Sequence, residues 1–106
     1  MENDSAIVVY DNFPVSPGHS LVIPRQHYEH WFETPAQIQN DMNVLLQQTY
    51  VFLKQKFKAD GFNVAANCGV AAGQSVFHTH FHIIPRYTGD HHDPVGGIRR
   101  ILDFTY

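Results

Sequence analysis

Apolar positions along this chain run first at the spacing of strands, then at the spacing of a helix, then at the spacing of strands again. Ala6-Ile7-Val8-Val9-Tyr10 is a β-rich run that stops at Asp11-Asn12, and Ser20-Leu21-Val22-Ile23-Pro24 is a second one beyond a turn containing Pro14, Pro17 and Gly18. The two are expected to lie side by side and antiparallel, with Pro24 closing the second. Residues 26–32 suit one helical turn or a short helix that carries Trp31 and Phe32 inward. Thr34-Pro35-Ala36-Gln37 then has the form of a capping box, with Thr34 at the N-cap, proline at the first helical position and glutamine at the third. A long helix is predicted from there. Its inner stripe is Ile38, Met42, Leu45, Leu46, Thr49, Tyr50, Leu53 and Phe57, while Gln39, Asn43, Gln47, Lys54 and Lys58 largely face away. Lys54, Lys56 and Lys58 suit the negative end of the helix dipole, and Gly61 is the expected stop.

Phe62 to Asn67 reads as a strand, Cys68 to Ser75 as a glycine-bearing loop, and Val76 to Arg86 as a further strand. Strands that flank a helix without regular alternation imply an α+β domain built on an antiparallel sheet. From Tyr87 onward Gly89, Pro94, Gly96 and Gly97 predict a loop-like tail, and the pattern assigns no element to Ile98 to Phe104.

With 106 residues and no repeat, low-complexity segment or linker-like run, the chain reads as a single domain. Its formal net charge of −3 gives no electrostatic reason to bind nucleic acid or an anionic membrane. The single cysteine, Cys68, excludes an internal disulfide framework and a four-cysteine zinc module. The N-terminus shows neither a signal-peptide pattern nor a membrane span, so a cytoplasmic location is expected.

Candidate chemistry concentrates in His78-Thr79-His80-Phe81-His82. On a strand these three imidazoles would share one face, with Phe77, Thr79, Phe81 and Ile83 turned to the core. Alternate residues stand about 6.5 to 7 Å apart, close enough for neighbouring rings to converge on one small ligand. Ser75, Gln74 and the backbone N–H groups of the loop add donors, and residues 74–86 contain no Asp or Glu. Imidazoles that titrate near pH 6.5 can act as nucleophile, base or cationic donor, which suits attack on phosphorus. A metal site is the rival reading, with His19 as a fourth ligand.

These residues also carry a resemblance. His78-Thr79-His80-Phe81-His82-Ile83-Ile84 resembles the motif of the histidine triad family, His-x-His-x-His followed by two apolar positions. Asp11 through Pro24 resembles that family's first block, and Asn67 through Ser75 its loop leading into the triad, so the likeness spans about residues 6–90. It implies an α+β, HIT-like fold with an antiparallel sheet of about five strands and one long and one short helix. Residues 1–106 would form one such domain, with a tail at 91–106, in a homodimer.

The implied activity is hydrolysis of a phosphoanhydride or phosphoramidate bond at the α-phosphate of a nucleotide conjugate. A covalent nucleotidyl-histidine intermediate would form and a nucleoside monophosphate would be released. Carried over by position, His80 is the nucleophile, His78 and His82 flank it, and His19 completes the cluster. Asp11 would reach the ribose hydroxyls, Asn67 the phosphate or sugar, Gln74 and Ser75 the phosphate oxygens or the leaving atom, and Gly73 and Val76 would give backbone contacts. No metal or other cofactor is required, magnesium entering only with a polyphosphate substrate. Asp11, Asn67 and Ser75 each have a plain structural alternative in turns and strand ends. His27, His30, His91 and His92 read as surface residues, and Arg99-Arg100 as solubilising.

Thr79 between the first two histidines departs from the uridylyltransferase branch, and the N-terminal cysteine pair of some small bacterial members is absent. The texture is nearest to the dinucleoside polyphosphate hydrolases of the fragile histidine triad type and to compact nucleoside phosphoramidases. The readings from other classes are a non-catalytic nucleotide-binding adaptor and a histidine-ligated metal protein.

Overall fold

The computed structural model describes residues 1–101. Strands β1 (Ala6–Tyr10), β2 (Ser20–Pro24), β3 (Gly61–Ala65) and β4 (Phe81–Arg86) form one antiparallel sheet in the order β1-β2-β4-β3, and helix α1 (Ala36–Phe57) packs across one face. The class is α+β, as expected. Among the described residues the sheet has four strands rather than about five.

Alternation decides which residues meet the helix. Val8, Val22 and Phe81 stand opposite one another in the ladder, and with Ala6, Met42 and Leu45 they build the core between sheet and helix. Trp31 joins it edge-on to Phe81, with ring centroids 4.6 Å apart. Its neighbour Phe32 is exposed instead of inward, because Trp31–Glu33 is a single 3₁₀ turn and the two rings diverge. On the sheet face away from α1, Leu21 and Ala65 flank His82, Asn63 lies beside Ile84, and Gly61 beside Arg86.

Both helix ends differ from the sequence pattern. The Thr34 hydroxyl donates to the His30 carbonyl (3.1 Å) and caps nothing, and the first helical bond runs from Gln39 N–H to the Pro35 carbonyl (2.9 Å). Pro35 is therefore the cap, and the helix starts one residue later than predicted. At the other end Lys58 adopts the left-handed conformation (φ 58°), which turns the chain early enough for Ala59 to be buried and for Asp60 N–H to reach the Arg86 carbonyl (2.9 Å). Gly61 is not the stop but the first residue of β3. Gly18 (φ 89°) holds a tight approach to the helix terminus, since a Cβ there would lie 3.0 Å from the Phe57 ring.

β3 ends at Ala65, two residues short of the predicted Asn67, and the tail forms a 3₁₀ turn at Gly97–Ile101. The rest of the unassigned segment, residues 102–104, lies outside the described residues. No helix among the described residues is long and apolar enough to cross a membrane.

Candidate active site

The expected strand over Val76–Arg86 begins only at Phe81, so His82 alone of the three histidines is in the sheet. The pairing stops there on both sides: β2 meets β4 only from Ser20 to Val22, although β2 itself continues to Pro24 against β1, and β3 ends with Ala65 opposite His82. Residues 76–80 are fastened to the chain after β2 instead, through Thr79 N–H to the Tyr28 carbonyl (2.7 Å) and His78 Nε2–H to the Pro24 carbonyl (2.8 Å). Thr79 and Ile83 are buried as alternation requires, whereas Phe77 is exposed and not part of the core.

Hydrogen bonds fix the state of each ring, because a carbonyl can only accept and a backbone N–H can only donate. His80 Nδ1 lies 2.9 Å from the His78 carbonyl, so Nδ1 carries the proton and Nε2 keeps a bare lone pair. His78 donates through Nε2, which leaves its Nδ1 to accept from His27 Nδ1–H at 3.2 Å. His19 Nδ1 accepts from Val15 N–H (3.2 Å), so its Nε2–H points to His82 Nδ1 (2.9 Å). His82 therefore presents Nε2 on its free side, and its ring meets that of His80 edge-on at 5.1 Å.

An acid that residues 74–86 lack arrives from the β1–β2 loop. Asp11 Oδ2 is 3.4 Å from His19 Nε2 and 3.8 Å from His82 Nδ1, while its Oδ1 is held by Phe13 N–H (2.8 Å). Burial lowers the pKa of His19, with Asp11 opposing. His82 is lowered by burial, then by His80 and His19, again with Asp11 opposing. Both rings are thus held neutral at pH 7, the state the hydrogen bonds demand. The ligand atoms of Asp11, His19 and His82 lie within 4.8 Å of one another and could also hold a cation, at the cost of the His19–His82 bond.

The predicted binding residues fare differently. Gln74 is buried, and its amide faces the loop rather than the histidines: Nε2 donates to the Glu29 and Val76 carbonyls, and Oε1 accepts from Gly69 N–H (2.8 Å). Gly73 (φ 89°) spends its N–H on the Val70 carbonyl (2.9 Å). Ser75 and Val76 are exposed on the loop just ahead of His78, and Asn67 is exposed beyond the end of β3. Among the described residues the backbone N–H groups from Ser75 to His78 donate to no protein acceptor, leaving them available to an anion. His27 is exposed, as expected of a surface residue, and its Nδ1 also meets His78 Nδ1 (3.2 Å).

Residues 1–89 match the HIT domain family. An uncharacterized HIT-like protein of Saccharolobus solfataricus is 40% identical over 88 residues, covering 83% of this chain and 63% of that protein. An adenylylsulfatase of Arabidopsis thaliana is 40% identical over 89 residues, covering 84% of this chain and 45% of its own length. The crystal structure of Plasmodium falciparum diadenosine triphosphate hydrolase superposes with a TM-score of 0.81 at 29% identity, covering 85% of this chain and 61% of that one. The chain thus spans less than two thirds of the length of each of these proteins.

Proposed function

Because this chain belongs to the HIT domain family, we propose that it is a nucleotide hydrolase that cleaves a phosphoanhydride or phosphoramidate bond at an α-phosphate through a nucleotidyl-His80 intermediate. The observation that carries the reading is the His80 ring. Its Nδ1–H is committed to the His78 carbonyl, so the Nε2 lone pair is available before substrate arrives. In the first half-reaction Nε2 forms a bond to phosphorus while the bond to the leaving group breaks, and the leaving atom departs with the electron pair and takes up a proton. In the second, water attacks phosphorus, the N–P bond breaks, and the proton lent in the first half is returned from the water. His82 Nε2 is the ring nitrogen placed to pass that proton, with His19 and Asp11 orienting the ring behind it. Backbone N–H groups of residues 75–78 and the Ser75 hydroxyl would hold the phosphoryl oxygens. Asp11 retains unused lone pairs with which to accept ribose hydroxyls.

His78 has a different part from that of a flanking catalytic ring. Both its ring nitrogens are engaged by Pro24 and His27, and it acts on His80 through its backbone carbonyl. The chemistry written needs no metal. In a homodimer, the outer edge of β3, which pairs with no further strand among the described residues and has Val64 exposed with the Tyr50 and Phe62 rings packed beside it, is the surface that would meet a second copy. A cytoplasmic setting fits nucleotide hydrolysis.

The test is AMP release from an adenosine phosphoramidate and from a diadenosine polyphosphate after chelator treatment, with His80→Asn alongside. Turnover by the chelated protein that falls by at least about a thousandfold in the variant is the expected result. Activity that vanishes with the chelator and returns with zinc would instead favour a metal held by Asp11, His19 and His82. Nucleotide binding without turnover would favour the adaptor.

A further inference from the structure

Resting on that reading, we infer that Ser16 and Tyr87 are positioning residues for the reaction. Their hydroxyls clasp the β1–β2 loop to β4, and the clasped loop fixes the tautomer of His19 and with it the nitrogen on which His82 carries its proton. The loop needs such fastening. Phe13 (87%) and Val15 (71%) are largely exposed, as are Pro14 and Pro17, so little side-chain packing holds residues 12–18 in place. Gly18, close against the Phe57 ring, is the exception. The ladder between β2 and β4 stops at Ser20 opposite Ile83. Beyond it the Ser16 hydroxyl donates to the Pro85 carbonyl (2.6 Å) and the Tyr87 hydroxyl to the Pro17 carbonyl (2.7 Å). Among the described residues these are the only hydrogen bonds that join residues 12–18 to any segment beyond Ser20.

Tyr87 is itself held from both sides. Its N–H donates to Asp90 Oδ2 (3.0 Å), and the N–H of Thr88 donates to Asp60 Oδ2 (2.8 Å). Asp90 is in turn fixed by Arg86, from Nε to Oδ2 and from Nη2 to Oδ1, both at 2.8 Å. That pairing, with the Tyr87 N–H, holds the Asp90 carboxyl at about 2, so it accepts throughout the working range. The turn closes with Asp90 N–H on the Tyr87 carbonyl (2.9 Å). Residues 86–90 therefore aim the phenol at the loop.

The clasp governs one backbone donor. Val15 N–H donates to His19 Nδ1 (3.2 Å), which leaves the His19 proton on Nε2 and directs it to His82 Nδ1 (2.9 Å). His82, neutral with Nδ1 accepting, carries its own proton on Nε2, and that is the proton the first half-reaction lends to the leaving atom. Without Val15 N–H, His19 can hold its proton on Nδ1 instead. Its bare Nε2 then accepts from His82 Nδ1, and His82 Nε2 has no proton to lend. Both arrangements contain the same number of protons, and His19 is only 3% exposed, so a single backbone donor rather than solvent chooses between them.

The experiment measures kcat and KM for AMP release from an adenosine phosphoramidate, and the imidazole nitrogen NMR shifts of the free protein. It uses wild type, Ser16→Ala, Tyr87→Phe, their combination and Ser16→Thr. Wild type should show one His19 tautomer, bare at Nδ1. Each single deletion should lower kcat about threefold and the pair at least about tenfold, with KM within about twofold of wild type. In the double variant the His19 and His82 shifts should move toward a mixture of tautomers, and Ser16→Thr, which keeps the hydroxyl, should match wild type. An unchanged tautomer in the folded double variant, or a change confined to KM, overturns the clasp. Should the double variant not fold, the same shifts in the two single variants decide. No AMP from wild type would overturn the hydrolase reading, while the nitrogen shifts decide the clasp independently of turnover.

Discussion

Replacing Gln74 with leucine should reveal whether this side chain binds substrate or builds the loop that does. Its amide makes three bonds, accepting from Gly69 N–H and donating to the Glu29 and Val76 carbonyls, and the residue is only 5% exposed. Leucine has similar bulk and no polar atoms, so all three bonds disappear and their backbone partners lose theirs. At about 1 kcal/mol for each bond, the cost is about 3 kcal/mol, reduced to about 2 kcal/mol where solvent reaches the orphaned groups. A domain of this size should melt about 10 °C lower. Because residues 75–78 then lose their anchor, kcat/KM should also fall. Gln74→Glu separates the terms: it keeps an acceptor for Gly69 N–H but sets a carboxylate against two carbonyls, so it should be at least as destabilising as leucine. Thermal unfolding and steady-state kinetics on the two variants suffice. A leucine variant that melts within about 2 °C of wild type and shows only a raised KM would refute the structural role and return Gln74 to the substrate.

Acid should destabilise the fold through the paired imidazoles. His19 and His82 have pKa values lowered in the folded state, so below the ordinary 6.5 the unfolded chain binds more protons. Stability from this source is therefore fully present above pH 6.5 and is lost as pH falls toward the folded values, each group limiting the slope to about 1.4 kcal/mol per pH unit. Urea midpoints between pH 8 and 5 should fall on acidification, less steeply in His82→Asn; a midpoint that stays flat or rises would contradict the neutral His19–His82 pair. His27→Phe removes one donor from His78 but leaves its bond to Pro24, so turnover should change by less than about threefold. A loss approaching that of His80→Asn would assign the His78 side chain a direct part in the reaction.

What the sequence revealed, and what it concealed, follows from the range of each interaction. The alternation in residues 6–10 and 20–24 reports burial on one face, and those strands form with the predicted bounds. The same alternation in residues 76–80 predicts a strand, yet alternation tells only which side a residue faces, not whether a neighbour continues the ladder; β2 stops pairing with β4 at Val22 and β3 ends opposite His82. Thr34-Pro35-Ala36-Gln37 fits a capping box residue by residue, but the His30 carbonyl captured the threonine hydroxyl and moved the cap to Pro35. His80 as the proposed nucleophile rests on resemblance; its bond to the His78 carbonyl, only two residues away, is a feature of the folded loop. Asp11 was legible only by resemblance as a ribose ligand, and its approach to His19 and His82 depends on the sheet bringing distant segments together. The contact of His27 with His78 depends on the same long-range packing.

A double displacement through His80 leaves a signature at phosphorus that does not depend on an intermediate accumulating. The decisive measurement is the stereochemical course of hydrolysis of a substrate chiral at the α-phosphorus. Two successive in-line displacements, first by His80 Nε2 and then by water, predict retention of configuration in the released nucleotide. Inversion would mean that water attacks directly, and would contradict a nucleophilic His80.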